Sequence, residues 1–152
     1  MENSFIRLAD IEDYPAYYRL SKENYLFHQG LKPDHFKKEY SFTKEKMEKM
    51  LLDPSMILVV YVQQTILGYA SIEIKEKKSG KCYYIHEIGV DEKHRNNNIG
   101  SQLYNYIRQA AIEDHAISIE LSVFKENSQA ISFYKKQGME NTKLIMEERL
   151  EE

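Results

Sequence analysis

The sequence predicts an α/β protein built around one central β-sheet, and three observations carry that prediction. Strand-like and helix-like segments alternate along all 152 residues. The run Met56 to Val62, MILVVYV, is continuously apolar and rich in β-branched residues, as a strand covered on both faces should be. Gly100 to Asp114 sets Leu103, Tyr106, Ile107, Ala110 and Ala111 on one stripe, with Ile99 at its start, which is the apolar face of a helix that covers a sheet. The length matches a single domain, residues 1–152, and a domain of that size buries roughly 68–70% of the surface its unfolded chain exposes. Hydrophobic residues at 42% and charged residues at 30% exclude disorder as the main state.

Ser4 to Leu8 opens the chain as a short strand, and Ala9-Asp10 follows as a turn with a capping carboxylate. Ile11 to Tyr25 reads as helix, with Tyr14, Tyr17, Tyr18, Ser21 and Tyr25 at helical spacing and Pro15 tolerable near the first turn. Phe27 to Phe42 holds Gly30 and Pro33 without a clean period and reads as loop with short helical pieces. Thr43 caps a second helix whose Met47, Met50 and Leu51 share a face, and Asp53-Pro54 ends it. After the Met56 strand, Gln63-Gln64 turns the chain, and Ile66, Gly68, Ala70, Ile72 and Ile74 alternate with Leu67, Tyr69, Ser71 and Glu73 in the next strand. Beyond the turn EKKSGK, Tyr83 to Val90 is strand, then the Gly100 helix follows, and Ile117 to Phe124 alternates as strand again. Asn127 caps a last helix bearing Ala130, Ile131, Phe133 and Tyr134, Gly138 stops it, and Lys143 to Leu150 closes as a strand with Leu144, Met146 and Leu150 in alternation. No internal repeat interrupts this order.

Composition narrows the partners. The 21 Lys and Arg against 24 Asp and Glu give a net charge of −3, so no broad positive field invites duplex nucleic acid. The longest apolar run is far shorter than the ~20 residues of a membrane-spanning helix, and MENSFIRLAD lacks a signal-peptide core. A lone cysteine, Cys82, excludes an internal disulfide and suits a reducing compartment, so the expected location is the cytoplasm. Of the five histidines only His28 and His35 share a loop, too few ligands for a metal site, and no metal is expected.

The stretch that carries chemistry is IHEIGVDEKHRNNNIGSQLYNYI, Ile85 to Ile107, where a strand passes through a polar loop into a helix. The first amides of a helix have no internal partners and its dipole puts about half a positive charge there, so backbone alone binds a phosphate. Gly100 and Ser101 let an anion approach, Asn96, Asn97 and Asn98 tolerate left-handed backbone, and Arg95 adds a delocalised cation. The same residues also describe an ordinary loop before a capped helix. Neither G-x-x-x-x-G-K-[ST] nor G-x-G-x-x-G occurs, which excludes both of those nucleotide-binding loops.

VDEKHRNNNIGSQLYNYI, followed after a strand by NSQAISFYKKQGM, resembles the two motifs of the GNAT superfamily of acyl-CoA-dependent N-acetyltransferases. The pyrophosphate loop [RQ]-x-x-G-x-[GA] is matched by Arg95, Asn98 and Gly100, with Asn98 where the first glycine is usual. The motif Asn-x-x-Ala-x-x-x-Tyr-x-x-x-Gly is matched by Asn127, Ala130, Tyr134 and Gly138. The resemblance implies a single-domain fold with a central mixed sheet of six to seven strands flanked by about four helices. It further implies acetyl-CoA as co-substrate. The pantetheine arm would lie like a strand beside Ile88, Gly89 and Val90, and the pyrophosphate would sit on Arg95, Asn96, Asn97, Asn98, Ile99, Gly100 and Ser101. Asn127 would reach the pantetheine from the other side of a slot opened by splayed strands.

Acetylating an amine requires its neutral form, and a lysine-like pKa of about 10.4 stands roughly 3.4 units, or 4.6 kcal/mol, against it at neutral pH. Glu87, in the strand that would run beside the thioester, is the expected proton acceptor; the competing reading is a solvated or ion-paired strand glutamate. His86 points to the opposite face if that strand is regular. Tyr134, in the matched motif, is the expected donor to the departing thiolate, against a core tyrosine on an apolar stripe. Cys82 lacks the His and Asp pattern of an acyl-carrying nucleophile and reads as a buried small hydrophobe. Tyr25, Phe27 and His28, with Phe36, Tyr40 and Phe42, would border the acceptor as an aromatic wall, or simply close the core. The acceptor is then a small-molecule or protein amine, the assembly a homodimer on base rates alone, and the competing function a non-catalytic acyl-CoA-binding or interaction module.

Overall fold

The computed structural model describes residues 3–36, 39–95 and 97–150, in two compact units, residues 1–122 and 123–152. The first unit holds β1 (Phe5–Leu8), a 3-10 turn (Ile11–Asp13), α1 (Tyr14–Leu31), α2 (Lys44–Leu52), β2 (Met56–Gln63), β3 (Thr65–Lys77), β4 (Gly80–Val90), a second 3-10 turn (Glu92–His94), α3 (Ile99–Glu113) and β5 (Ser118–Glu120). The second holds α4 (Ser128–Lys136).

The strands lie in the order β1-β2-β3-β4-β5, antiparallel up to β4 and parallel between β4 and β5. Four consecutive residues of β2, Leu58 to Tyr61, are buried because both faces of the sheet are covered. On one face Leu58, Val60 and Tyr69 pack with Tyr17 and Leu20 of α1 and Met47 of α2. On the other, Ile57, Val59, Ile72 and Tyr83 meet Tyr106, Ile107 and Ala110 of α3. Met47 is fully buried, and such a side chain contributes roughly 1.5–3 kcal/mol. Cys82 is buried in β4 and carries no disulfide.

The local signals for the helix starts are met. Asp10 Oδ1 accepts the Glu12 amide at 2.8 Å and Asp13 Oδ2 accepts the Asp10 amide at 2.9 Å, a reciprocal cap before α1. Thr43 Oγ1 accepts the Lys46 amide at 3.1 Å at the start of α2.

Four expectations are corrected. The helix expected to end at Tyr25 runs on to Leu31, through Gly30. Its stop is Lys32, which precedes Pro33 and so is barred from helical backbone, whereas one glycine in a last turn costs only about 1 kcal/mol. Among the described residues the sheet has five strands, not six to seven. Part of the deficit is Lys143 to Leu150, which forms no strand: Leu144, Ile145, Met146 and Leu150 are 83–89% exposed, and Glu148 interrupts the apolar row that pairing would bury. The strand expected over Ile117 to Phe124 is also reduced to Ser118–Glu120, whose ladder with β4 covers only Cys82, Tyr83 and Tyr84. No helix among the described residues is long and apolar enough to cross a membrane.

Candidate active site

The site starts from a bulge in β4. Ile72 pairs with Ile85 and the next residue back, Ser71, pairs with Glu87, so His86 is an extra residue in the ladder. Partners in an antiparallel ladder share a face, and a bulge lets two successive residues project to one side. Glu87 therefore shares the α1 face with Ser71 and Tyr69, and His86 lies on that side too, its Nε2 2.8 Å from Oε1 of Glu73. The expected opposition of His86 and Glu87 assumed a regular strand. In an unbulged ladder Glu87 would instead share the face of Ile85, beneath α3.

On the α1 face Glu87 is half-buried. Tyr69 Oη donates to its Oε1 at 2.9 Å, and Asn24 Nδ2, from α1, donates to Tyr69 Oη at 3.2 Å and to the same Oε1 at 3.4 Å. The other oxygen, Oε2, has no partner among the described residues. Burial pushes the Glu87 carboxyl above its usual value, while the bonds from Tyr69 and Asn24 and the nearby His28 and His86 work to bring it down. Burial also lifts the Tyr69 hydroxyl well above the ordinary tyrosine value, with the Glu87 charge adding to it, so Tyr69 stays a proton donor. Tyr17, packed edge-on to Tyr69 at 4.8 Å between centroids, has a buried hydroxyl that meets no hydrogen-bond partner among the described residues. The Tyr69 ring lies directly over Gly89, where a Cβ would collide with it. Gly89 is what lets the hydroxyl reach Glu87.

From Ile85 onward β4 has no ladder to β5, so Ile88, Gly89 and Val90 are paired only with Ala70, Tyr69 and Gly68 of β3. The chain then enters a loop fastened at Asp91. Its backbone amide donates to the Leu67 carbonyl at 2.8 Å, and its carboxylate receives Arg19 of α1 at 2.8 Å, the Lys93 amide at 2.9 Å and His94 at 3.1 Å. Burial opposes that charge, but the bonds from His94, Arg19 and Lys93 prevail and hold the Asp91 carboxyl down at about 2. Asn98, the residue before α3, has φ 59° and ψ 21° and makes no side-chain cap. It thus takes the left-handed conformation that glycine reaches without penalty, and leaves the first amides of α3 uncovered by its own side chain. Ile99 is fully buried, while Gly100 and Ser101 are half-buried. Gly68 of β3 admits α3 this closely, since a Cβ there would stand 3.0 Å from Ile99 and 3.1 Å from Leu103. Exposed Arg95 sits with its guanidinium carbon 5.8 Å from the Phe27 ring centre. Asn97 is exposed, and the expectation for Asn96 lies outside the described residues.

Tyr25, Phe27 and His28 all fall on α1. Tyr25 packs against Phe36 and Tyr40 at 5.5 and 5.1 Å between centroids, and His28 against Phe27 at 5.5 Å. The His28 Nδ1–H donates to the Asn24 carbonyl at 2.7 Å. Tyr40, whose hydroxyl bonds Ser21, is pushed up to about 12 by burial. In the second unit Asn127 is buried, its Oδ1 accepting the Ala130 amide at 3.2 Å while its Nδ2 donates to no described residue. Tyr134 is half-buried on a helix with no fully buried residue. Among the described residues no cluster of three His, Cys, Asp or Glu could hold a metal ion.

Sequence reasoning missed Asn24, Tyr69, Arg19 and Asp91. For Asn24 a signal existed: Tyr17, Ser21, Asn24 and His28 recur on one helical face, and a polar stripe on a buried face asks for polar partners.

The model of the acetyltransferase (GNAT) family matches residues 14–139. Among solved structures, a tetramutant of the BH1408 protein from Bacillus halodurans is similar, with 25% identity over 96% of this chain and 99% of its own and a TM-score of 0.90. The aminoglycoside acetyltransferase meta-AAC0020 from an uncultured soil metagenomic sample, solved in complex with sisomicin, is 18% identical over 97% of both chains, at a TM-score of 0.77. Glucosamine-6-phosphate N-acetyltransferase from Arabidopsis thaliana is 20% identical over 99% of this chain and 100% of its own, at 0.68. The last two speak to the fold alone.

Proposed function

The chain belongs to the acetyltransferase (GNAT) family, and from that premise we propose that it moves an acetyl group from acetyl-CoA to a primary amine, the amine nitrogen attacking the thioester directly. The observation that carries this reading is Glu87, a half-buried carboxylate with one oxygen tied down and the other without a partner among the described residues. A carboxylate so held suits the removal of the ammonium proton that the attack requires.

The residues present suit the co-substrate. Asn98 turns the backbone as a glycine would, so the amides of Ile99, Gly100 and Ser101, with Arg95, Asn96 and Asn97, would hold the diphosphate. Ile88, Gly89 and Val90, beyond the reach of the β5 ladder, would bond the pantetheine through their backbone, and Asn127 would supply its side-chain amide. Acetyl-CoA supplies the activated acyl group. Glu87 takes a proton from the attacking nitrogen as the C–N bond forms, and Tyr134 gives its phenolic proton to sulfur as the C–S bond breaks. A thiol of pKa about 8.5 is already a tolerable leaving group, so the chemistry asks for no metal.

The acceptor class follows only as far as a primary amine bordered by Tyr25, Phe27 and His28, on a small molecule or a protein. The relatives named for aminoglycosides and glucosamine-6-phosphate make those amines the first to test. The competing module reading rested on Asn98 in place of glycine, and the left-handed backbone at Asn98 removes that support. Titrating acetyl-CoA against the protein and following thiol release over an amine panel tests the proposal. At 100 times its Kd the co-substrate stabilises by about 2.7 kcal/mol, a rise in Tm of roughly 5–10 °C for a chain of this size. Binding with amine-dependent thiol release supports the transferase. Binding without turnover on any amine supports the module, and no binding sinks both.

A further inference from the structure

We propose that Tyr69 and Asn24 are positioning residues that bind Oε1 of Glu87 as a pair, so that Oε2 is the oxygen which takes the proton from the acceptor amine. The inference rests on the reading of Glu87 as base and deepens it.

A carboxylate on a strand turns freely about its last bond, and either oxygen can face the acceptor unless something chooses between them. Here both donors come to one oxygen, from two different elements: Tyr69 from β3 at 2.9 Å and Asn24 from α1 at 3.4 Å. Asn24 also bonds the Tyr69 hydroxyl at 3.2 Å, closing a three-membered ring of polar groups in which each fixes the other two. The ring is itself fixed, because Tyr69 is wedged between Gly89 and Tyr17, and Asn24 is anchored in α1 one turn before His28, which bonds its carbonyl. Oε2 takes no part. This arrangement also sets the working range of the base. Bonds to the charged form favour it, so they work against the burial that pushes the carboxyl up. The other titratable groups that face Glu87 are Tyr17 and His28 from α1, Tyr40 from the segment after α1, and His86 beside it in β4.

The test measures the ionisation of Glu87 itself and then the rate. Tyr69→Phe keeps the ring over Gly89 and removes only the hydroxyl; Asn24→Ala is the second variant, in case either is poorly folded. In protein carrying 13C-labelled glutamate, with the Glu87 resonance assigned by its loss in Glu87→Gln, each variant should titrate about 0.5–1 pH unit above the wild type. The acid limb of kcat/KM should move up by the same amount, with kcat at its plateau falling several-fold. A structural role would lower activity at every pH without moving either midpoint. If the resonance does not shift in either variant, the proposal is overturned, whatever the rate does. If the resonance shifts and the acid limb stays put, Tyr69 and Asn24 do hold Glu87, and it is the assignment of Glu87 as base that fails.

Discussion

Four side chains can be judged one at a time. Asn98 sits at φ 59°, where an L-residue other than asparagine or glycine is strained. Asn98→Gly should keep or modestly tighten acetyl-CoA binding, while a β-branched valine there should weaken it and destabilise the fold by about 1–2 kcal/mol; titration calorimetry and thermal unfolding would read both, and equal affinity for all three would mean the loop does not hold the diphosphate. Glu87 and Tyr134 serve opposite ends of the proposed proton transfer, so their variants should fail differently. Tyr134→Phe should lower kcat about 10–100-fold with co-substrate affinity nearly unchanged, and Glu87→Gln should hurt most at low pH and recover as pH climbs toward the pKa of the amine. A wild-type pH profile for Glu87→Gln would contradict the base assignment. Asp91 makes a claim on stability: its carboxyl is held at about 2, below its ordinary value, so its contribution is complete above about pH 4 and is lost as pH falls toward 2. That contribution is on the order of 1–2 kcal/mol, allowing for solvent around half-exposed Arg19. Asp91→Asn should lower stability at neutral pH by that amount and flatten its decline between pH 4 and 2, as urea unfolding across that range would reveal.

Elements place these residues, and here the sequence was legible only in part. Periodicity and caps located α2 and α3 to within a residue or two, because each start signal is local: Thr43 bonds its own helix, and the apolar stripe of α3 needs only a sheet to lie on. The bulge at His86 was not legible. Nothing in IHEIGV distinguishes six regular residues from five and an extra one, since the difference lies in the register against β3, and that alone sends Glu87 toward α1. The ring of Glu87, Tyr69 and Asn24 joins residues up to 63 positions apart and was hidden for the same reason. Tyr134 and Asn127 came from a motif, not from any physical necessity visible along the chain. One element contact can be tested alone. Gly68 lets α3 approach β3, and a valine there would press on Ile99 and Leu103. Gly68→Val should cost about 1–3 kcal/mol. If the start of α3 carries the diphosphate, acetyl-CoA affinity should fall by more than that of a control such as Thr43→Ala, which loses a cap on α2 at about 1 kcal/mol and touches no part of the site.

At the scale of the whole chain, helices cover both faces of the sheet in the first unit, while residues 143–150 leave four large apolar side chains in water. Exposed side chains contribute little to folding, so removing residues 143–152 should shift Tm by no more than about 1 °C. A larger, concentration-dependent drop in calorimetry would mean that a second copy covers them. One buried atom offers a different kind of report on the same molecule. The sulfur of Cys82 is the only thiol in the chain, is fully buried in β4 beside the short ladder to β5, and has its ionisation pushed up by that burial. A thiol-specific dye therefore cannot reach it until β4 opens. Its labelling rate is a clock for that opening, and saturation with acetyl-CoA, whose proposed place is along the same strand, should make the clock run slow.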